Sequence, residues 1–291
     1  MSEGAVFDLG YRPYEGERRG RVAAFRALFR DGMRRVLGLR RRARRKVLPF
    51  GLMAIAVLPA LFFVALGVFT SQFEIGEVEF FSHAEYFNMT GTIALLFIAL
   101  AAGELLVPDR QHGTLILYAS RPLTVIDYLA GRAAALFTVV FLFMYLPHLV
   151  LFVGRAWVSE GGFLDYAGGN LDVLWETAAA SGVYIVAFGS LAFAVAALAR
   201  RAGTSAGIFL LILMTSTPAV AALVDEVEID PAGLGALVDH PGYVKDWIMS
   251  TDTDRWIAER AGFEPIVALA AIAVVAVAAA AVVIFRYRRL T

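Results

Sequence analysis

Between Gly103 and Arg132 the sequence reads GELLVPDRQHGTLILYASRPLTVIDYLAGR. This stretch gathers groups that form ion pairs and donate hydrogen bonds: Glu104, Asp109, Arg110, Gln111, His112, Thr114, Ser120, Arg121, Asp127 and Arg132. Pro108, Gly113, Pro122 and Gly131 break it up. Such a segment cannot face lipid, because its charges and freed backbone groups would have no partners there. The chemistry it suits is docking against a protein surface. Arg110, Gln111 and His112 supply donors, and Leu115, Ile116, Leu117 and Tyr118 supply an apolar anchor. Pro108 and Gly113 predict a sharp change of direction after the preceding apolar run. Pro122 predicts the end of a short helix, and Asp127 a cap on the next one. The plainer alternative is that Glu104 and Arg110 pair with each other at a membrane surface.

Other chemistries lack their residues. A phosphate-binding P-loop needs Lys followed by Ser or Thr, but Lys46 precedes Val47 and Lys245 precedes Asp246. No HExxH or GxSxG occurs, and with no cysteine there is neither a disulfide nor a thiolate metal site. His83, His112, His148 and His240 are scattered without ligand spacing. His148 follows Pro147 inside an apolar run, where the expectation is a neutral ring bonded to a carbonyl that the proline frees; a functional group at membrane depth is the alternative. No Asp, Glu, Lys or Arg lies well inside any apolar run, which argues against an ion-coupled carrier or proton relay.

The elements that position the charged stretch are apolar. Of 291 residues 59% are hydrophobic and 18% charged, a membrane-protein composition. The first 46 residues are polar and arginine-rich, unlike a secretory signal. Within them Val22, Phe25, Leu28, Phe29, Met33, Val36 and Leu37 recur at helical spacing, opposite Arg21, Arg26, Arg30, Arg34 and Arg35. The spacing predicts an amphipathic interfacial helix, which would also serve as a positive-inside anchor. A nucleic-acid-binding arm is the weaker reading, since the membrane already accounts for the charge. Six apolar runs follow at 47–69, 87–107, 133–153, 177–199, 202–224 and 265–285, each long enough to span a bilayer. Twenty-two of the 26 Lys and Arg residues fall on the side of the N-terminus, leaving Arg155, Lys245, Arg255 and Arg260 opposite. That bias predicts an all-α integral membrane protein with six transmembrane helices and both termini cytoplasmic.

The outer loops are acidic. The longest, 225–264, holds Trp247, Ile248, Trp256 and Ile257, and predicts short helices lying at the outer interface, or a small cap over an exit path. Gly203 with Gly207, Ala178 with Gly182, and Ala276 with Ala280 offer small-residue spacing for helix packing. Phe62, Phe63, Thr90, Thr92, Thr215, Ser216 and Thr217 are candidate lining for a pathway suited to lipid-like or amphipathic cargo.

The ordered set Asp109-Arg110-Gln111-His112-Gly113-Thr114-Leu115, then Ser120-Arg121-Pro122-Leu123, then Tyr128-Leu129-Ala130-Gly131-Arg132 resembles the type 2 ABC transporter permeases. Arg132 stands where Lys is usual in that family. The resemblance implies a chain that pairs with itself or with a sister permease above two separate ABC ATPase subunits. It implies that the loop after the second span carries a coupling helix seated in the ATPase, braced by the N-terminal helix over about 20–46. The coupling residues so implied are Glu104, Asp109, Arg110, Gln111, His112, Gly113, Thr114, Leu115, Leu117, Tyr118, Ser120, Arg121 and Pro122. ATP and Mg would then sit on the partner, with no catalysis or cofactor on this chain. The setting implied is a prokaryotic cytoplasmic membrane. The competing expectation is a membrane scaffold or enzyme-complex subunit that transports nothing.

Overall fold

A computed structural model describes residues 20–39, 42–73, 82–115, 118 and 123–289. The described residues are helical, with no strand among them. Six helices are long and apolar enough to cross a membrane: Lys46–Thr70, His83–Gln111, Val125–Val158, Leu171–Leu198, Ala202–Glu226 and Pro265–Arg288. They are called spans one to six. Spans two, three and four form the centre and share the main apolar core, where Phe97 stacks on Phe143 at 4.7 Å between ring centroids. Spans one, five and six keep most of their surface facing outward.

Helix ends outrun the apolar runs because capping, not hydropathy, sets them. Span two starts at a capping box: Ser82 accepts from the Glu85 backbone N–H, and the Glu85 carboxylate accepts from the Ser82 N–H. Thr124 and Asp127 form the same box at the head of span three, eight residues before the expected start at 133. Arg132 is therefore two turns inside a helix rather than at its edge. Pro108 does not turn the chain either, since span two runs through it to Gln111. The turn comes at Gly113 alone, whose φ of +64° is costly for any residue with a Cβ. There Thr114 N–H donates to the Asp109 carbonyl and Gly113 N–H to the Arg110 carbonyl, the two bonds of a Schellman ending.

The N-terminal helix, Arg21–Val36, crosses span three at very close range. A Cβ on Gly32 would stand 2.6 Å from the Ala135 Cβ, and one on Gly131 would stand 2.9 Å from Leu28. Leu28 and Val36 are buried in this contact. The basic residues Arg40, Arg41, Arg44 and Arg45 lie, in whole or in their side chains, outside the described residues.

Two expectations about packing change. Nothing of the described chain approaches Gly203 or Gly207, which face outward; span five instead meets span two where Ala202 abuts Gly103. The long loop folds back onto the helices instead of lying exposed. Its helix Asp239–Ile248 is buried from Asp239 through Asp246 and packs against spans four and six. Trp256 covers Gly242, and Ile257 is buried, while Trp247 stays exposed. Once buried, Lys245 and Asp246 find their partners within the chain, in each other and in Asn88, Arg255 and Trp256.

Candidate functional site

Asp109 is the centre of the charged stretch and is almost wholly buried. Its Oδ1 accepts from Arg35 Nη1 at 2.7 Å and from Thr114 Oγ1 at 3.1 Å. Its Oδ2 accepts from Arg132 Nη2 at 2.8 Å and from the Tyr128 hydroxyl at 2.9 Å. Arg132, fully buried, also donates from Nη1 to Asp31 Oδ2 at 2.9 Å and from Nη2 to the Tyr118 hydroxyl at 3.3 Å. Arg35 Nε closes the circuit on Asp31 at 2.7 Å. Asp31, Arg35, Asp109 and Arg132 thus form a closed ring of alternating charge that joins the N-terminal helix to spans two and three. Two acids and two guanidiniums leave no net charge, and bonds to several acceptors offset the cost of burying them. Burial and the neighbouring Arg132 pull the Arg35 guanidinium down, but Asp109 and Asp31 outweigh them and hold it above its ordinary value.

A second tie lies nearer solvent. Arg21 donates to both carboxylate oxygens of Asp127, at 2.9 and 2.7 Å, while Asp127 also caps span three. A third tie runs to span four. The Arg110 guanidinium donates to the carbonyls of Ala196, Ala197 and Ala199, the last at 2.7 Å, and Gln111 Nε2 donates to the Arg200 carbonyl at 2.9 Å. These are the unsatisfied carbonyls at the end of span four, so a cation is doubly suited to them.

The expected docking residues therefore divide. Arg110 and Gln111 spend their donors inside the chain, and His112 Nδ1 lies 2.8 Å from the Pro108 carbonyl. Leu115 is buried in the main core, and Tyr118 packs its ring on Tyr128 at 5.4 Å. Neither forms an outward apolar anchor. Glu104 faces a cleft of about 380 Å3 beside Arg35, between the foot of span one and the start of span five. Among the described residues of the loop, Gln111, His112 and Gly113 are exposed. Ile116, Leu117, Ser120, Arg121 and Pro122 lie outside the described residues. The sequence does not single out Asp31 or Arg35 for the site, and it offers Tyr128 only within the ordered set that ends at Arg132. One signal existed: Asp31 is the sole acid between residues 20 and 46.

Polar groups also meet at the far end of the bundle. Lys245, fully buried, donates to Asn88 Oδ1 at 2.8 Å and pairs with Asp246. Asp246 further accepts from Arg255, Trp256 Nε1 and Thr251 at 2.6, 2.7 and 2.8 Å. Burial pushes the Asp246 carboxyl up, but hydrogen bonds from Lys245, Thr251 and Trp256 prevail and hold it below the ordinary carboxylate range. His148 does not bond a freed carbonyl. Its Nδ1 stands 3.4 Å from the His83 Nδ1 and its Nε2 stands 3.4 Å from Thr90 Oγ1, with Tyr86 and Phe87 packed around. Thr90 is fully buried beside it, whereas Thr92 and Thr215 of the candidate pathway set are exposed. Among the described residues no three His, Cys, Asp or Glu side chains gather in a way that could hold a metal.

No protein-family model matches this sequence, and no curated protein matches it.

Proposed function

We propose that this chain is the membrane subunit of an ATP-driven ABC transporter of type 2, moving a lipid-like or amphipathic substrate and drawing energy from a separate ATPase. In this reading residues 1–46 are a cytoplasmic tail and interfacial helix, 47–291 are the transmembrane domain, and both termini are cytoplasmic. The setting is the inner membrane of a prokaryote. A second permease, identical or sister, completes the pathway.

One observation carries the reading: the loop after span two is tied to three helices while His112 and Gly113 stay exposed. The charge ring joins its base to the N-terminal helix and span three, and Arg110 joins it to the end of span four. A push on the exposed tip at His112 and Gly113 would then reach several helices at once. The roles of the residues follow their placement. His112 and Gly113 contact the ATPase; Asp109, Arg110, Thr114 and Tyr118 transmit the load; Leu115 holds the loop on the core.

The test is co-expression with a P-loop ATPase encoded beside this chain, followed by purification and ATPase assay in vesicles. A stable complex whose hydrolysis rises with an amphipathic substrate is the expected result. His112→Glu and Gly113→Asp should release the ATPase while the six spans still insert. If the chain purifies alone, or if both variants assemble and hydrolyse normally, the reading fails and a scaffold without transport takes its place.

A further inference from the structure

The surface between spans three, four and six carries a recess of about 540 Å3 with an almost purely apolar lining. Its floor is core: Leu129, Leu136, Ile185, Phe193 and Val283 are all buried. Its rim is Ile126, Phe137 and Val186, each exposed by 42 to 52%, so the recess opens sideways. Small residues keep it open: Ala130 and Ala134 of span three, Ser190 of span four and Ala280 of span six. Span four contributes through a π turn, Ile185–Gly189, whose extra residue per turn locally reshapes the wall.

Position decides what fills this recess. On span three it runs from Ile126, in the first turn, to Phe137. Eleven helical steps of 1.5 Å make it about 17 Å long. A bilayer's hydrocarbon core is about 30 Å thick, so one leaflet is about 15 Å. Its length along span three is therefore close to the depth of one leaflet, matching a single acyl chain. One end of the recess lies beside Tyr128 of span three, which stacks on Tyr287 of span six at 5.7 Å. There Arg288, exposed, stands one helical turn beyond Ile284 on the same face of span six. Empty, the recess would forfeit dispersion contacts along its whole length.

We infer that this recess is a phospholipid site: one acyl chain lies between spans three, four and six, and an anionic headgroup meets Arg288. The inference needs the six helices to cross a bilayer but does not depend on an ATPase. The lipid belongs to the leaflet on the side of the charge ring, and it seals the π turn of span four against span three.

The experiment is native mass spectrometry of the delipidated chain in detergent, given dioleoyl phosphatidylglycerol or dioleoyl phosphatidylcholine. One phosphatidylglycerol should be retained per chain, in preference to phosphatidylcholine. Ala134→Phe and, from the opposite wall, Ala280→Phe should each weaken retention about tenfold or more, since displacing about two methylenes is enough for that. Val277→Phe, on the exposed face of span six, should leave it unchanged. Arg288→Gln should abolish the headgroup preference but not acyl binding. Undiminished retention in both filling variants, with normal thermal midpoints, overturns the site. Equal retention of the two lipids by the unaltered chain overturns the headgroup assignment.

Discussion

Arg132 is surrounded at the residue scale by Asp31, Asp109, Tyr118 and Tyr128, with no water-facing surface of its own. Its removal leaves a buried carboxylate short of a partner, which costs about 3–5 kcal/mol where such pairs are broken. Arg132→Met should therefore destabilise the chain by that order in detergent unfolding. Asp109→Leu combined with Arg132→Met should cost less than the two single changes added together, and a strictly additive cycle would show that the ring is not coupled. Asp246 provides a pH test. Its folded value lies below the ordinary one near 4, so the fold favours the carboxylate. The stabilisation is complete above about pH 4 and drains as pH falls through the depressed folded value. Asp246→Asn should flatten the acid limb of a plot of thermal midpoint against pH.

The N-terminal helix is held, at the scale of elements, by the crossing at Gly32 and Gly131 and by the charge ring. Gly32→Leu has no room against Ala135 and should lift the helix from span three. The chain has no cysteine, so paired cysteines introduced at Ala24 and Leu123, which flank one small cleft, can report this by cross-linking. Cross-linking should be efficient in the parent and lost in the Gly32→Leu background. Gly113→Val should weaken the loop by about 1–2 kcal/mol, because a β-branched residue resists positive φ. Gly203→Val, by contrast, meets open space and should be neutral in the isolated chain.

For the whole molecule, the buried spans two to four carry the core, while spans one, five and six present outward faces. The orientation read from charge bias has a direct test. Single cysteines at Gly20 and at Ser159 should label with a membrane-impermeant maleimide from opposite faces of sealed vesicles, Gly20 from the cytoplasmic one. Labelling of both from one face would refute the six-span topology.

Composition and run length were enough to place six helices and the stretch between spans two and three, because the cost of burying charge in lipid acts on each segment separately. Helix ends at Ser82 and Thr124 were legible as capping boxes, though hydropathy alone passed over them. Which side chains of that stretch face outward was not legible. Arg110 and Leu115 read as surface groups until the end of span four and the core came within reach, and these partners lie far away in sequence. Asp31 could be flagged as the lone acid of a basic helix, but its meeting with Arg132 depends on two glycines that let helices touch. The helix Asp239–Ile248 read as interfacial because its partner for Lys245 is Asn88, 157 residues earlier. Local physics chose the spans; long-range pairing of buried charge, which only the tertiary structure decides, chose what each polar residue does.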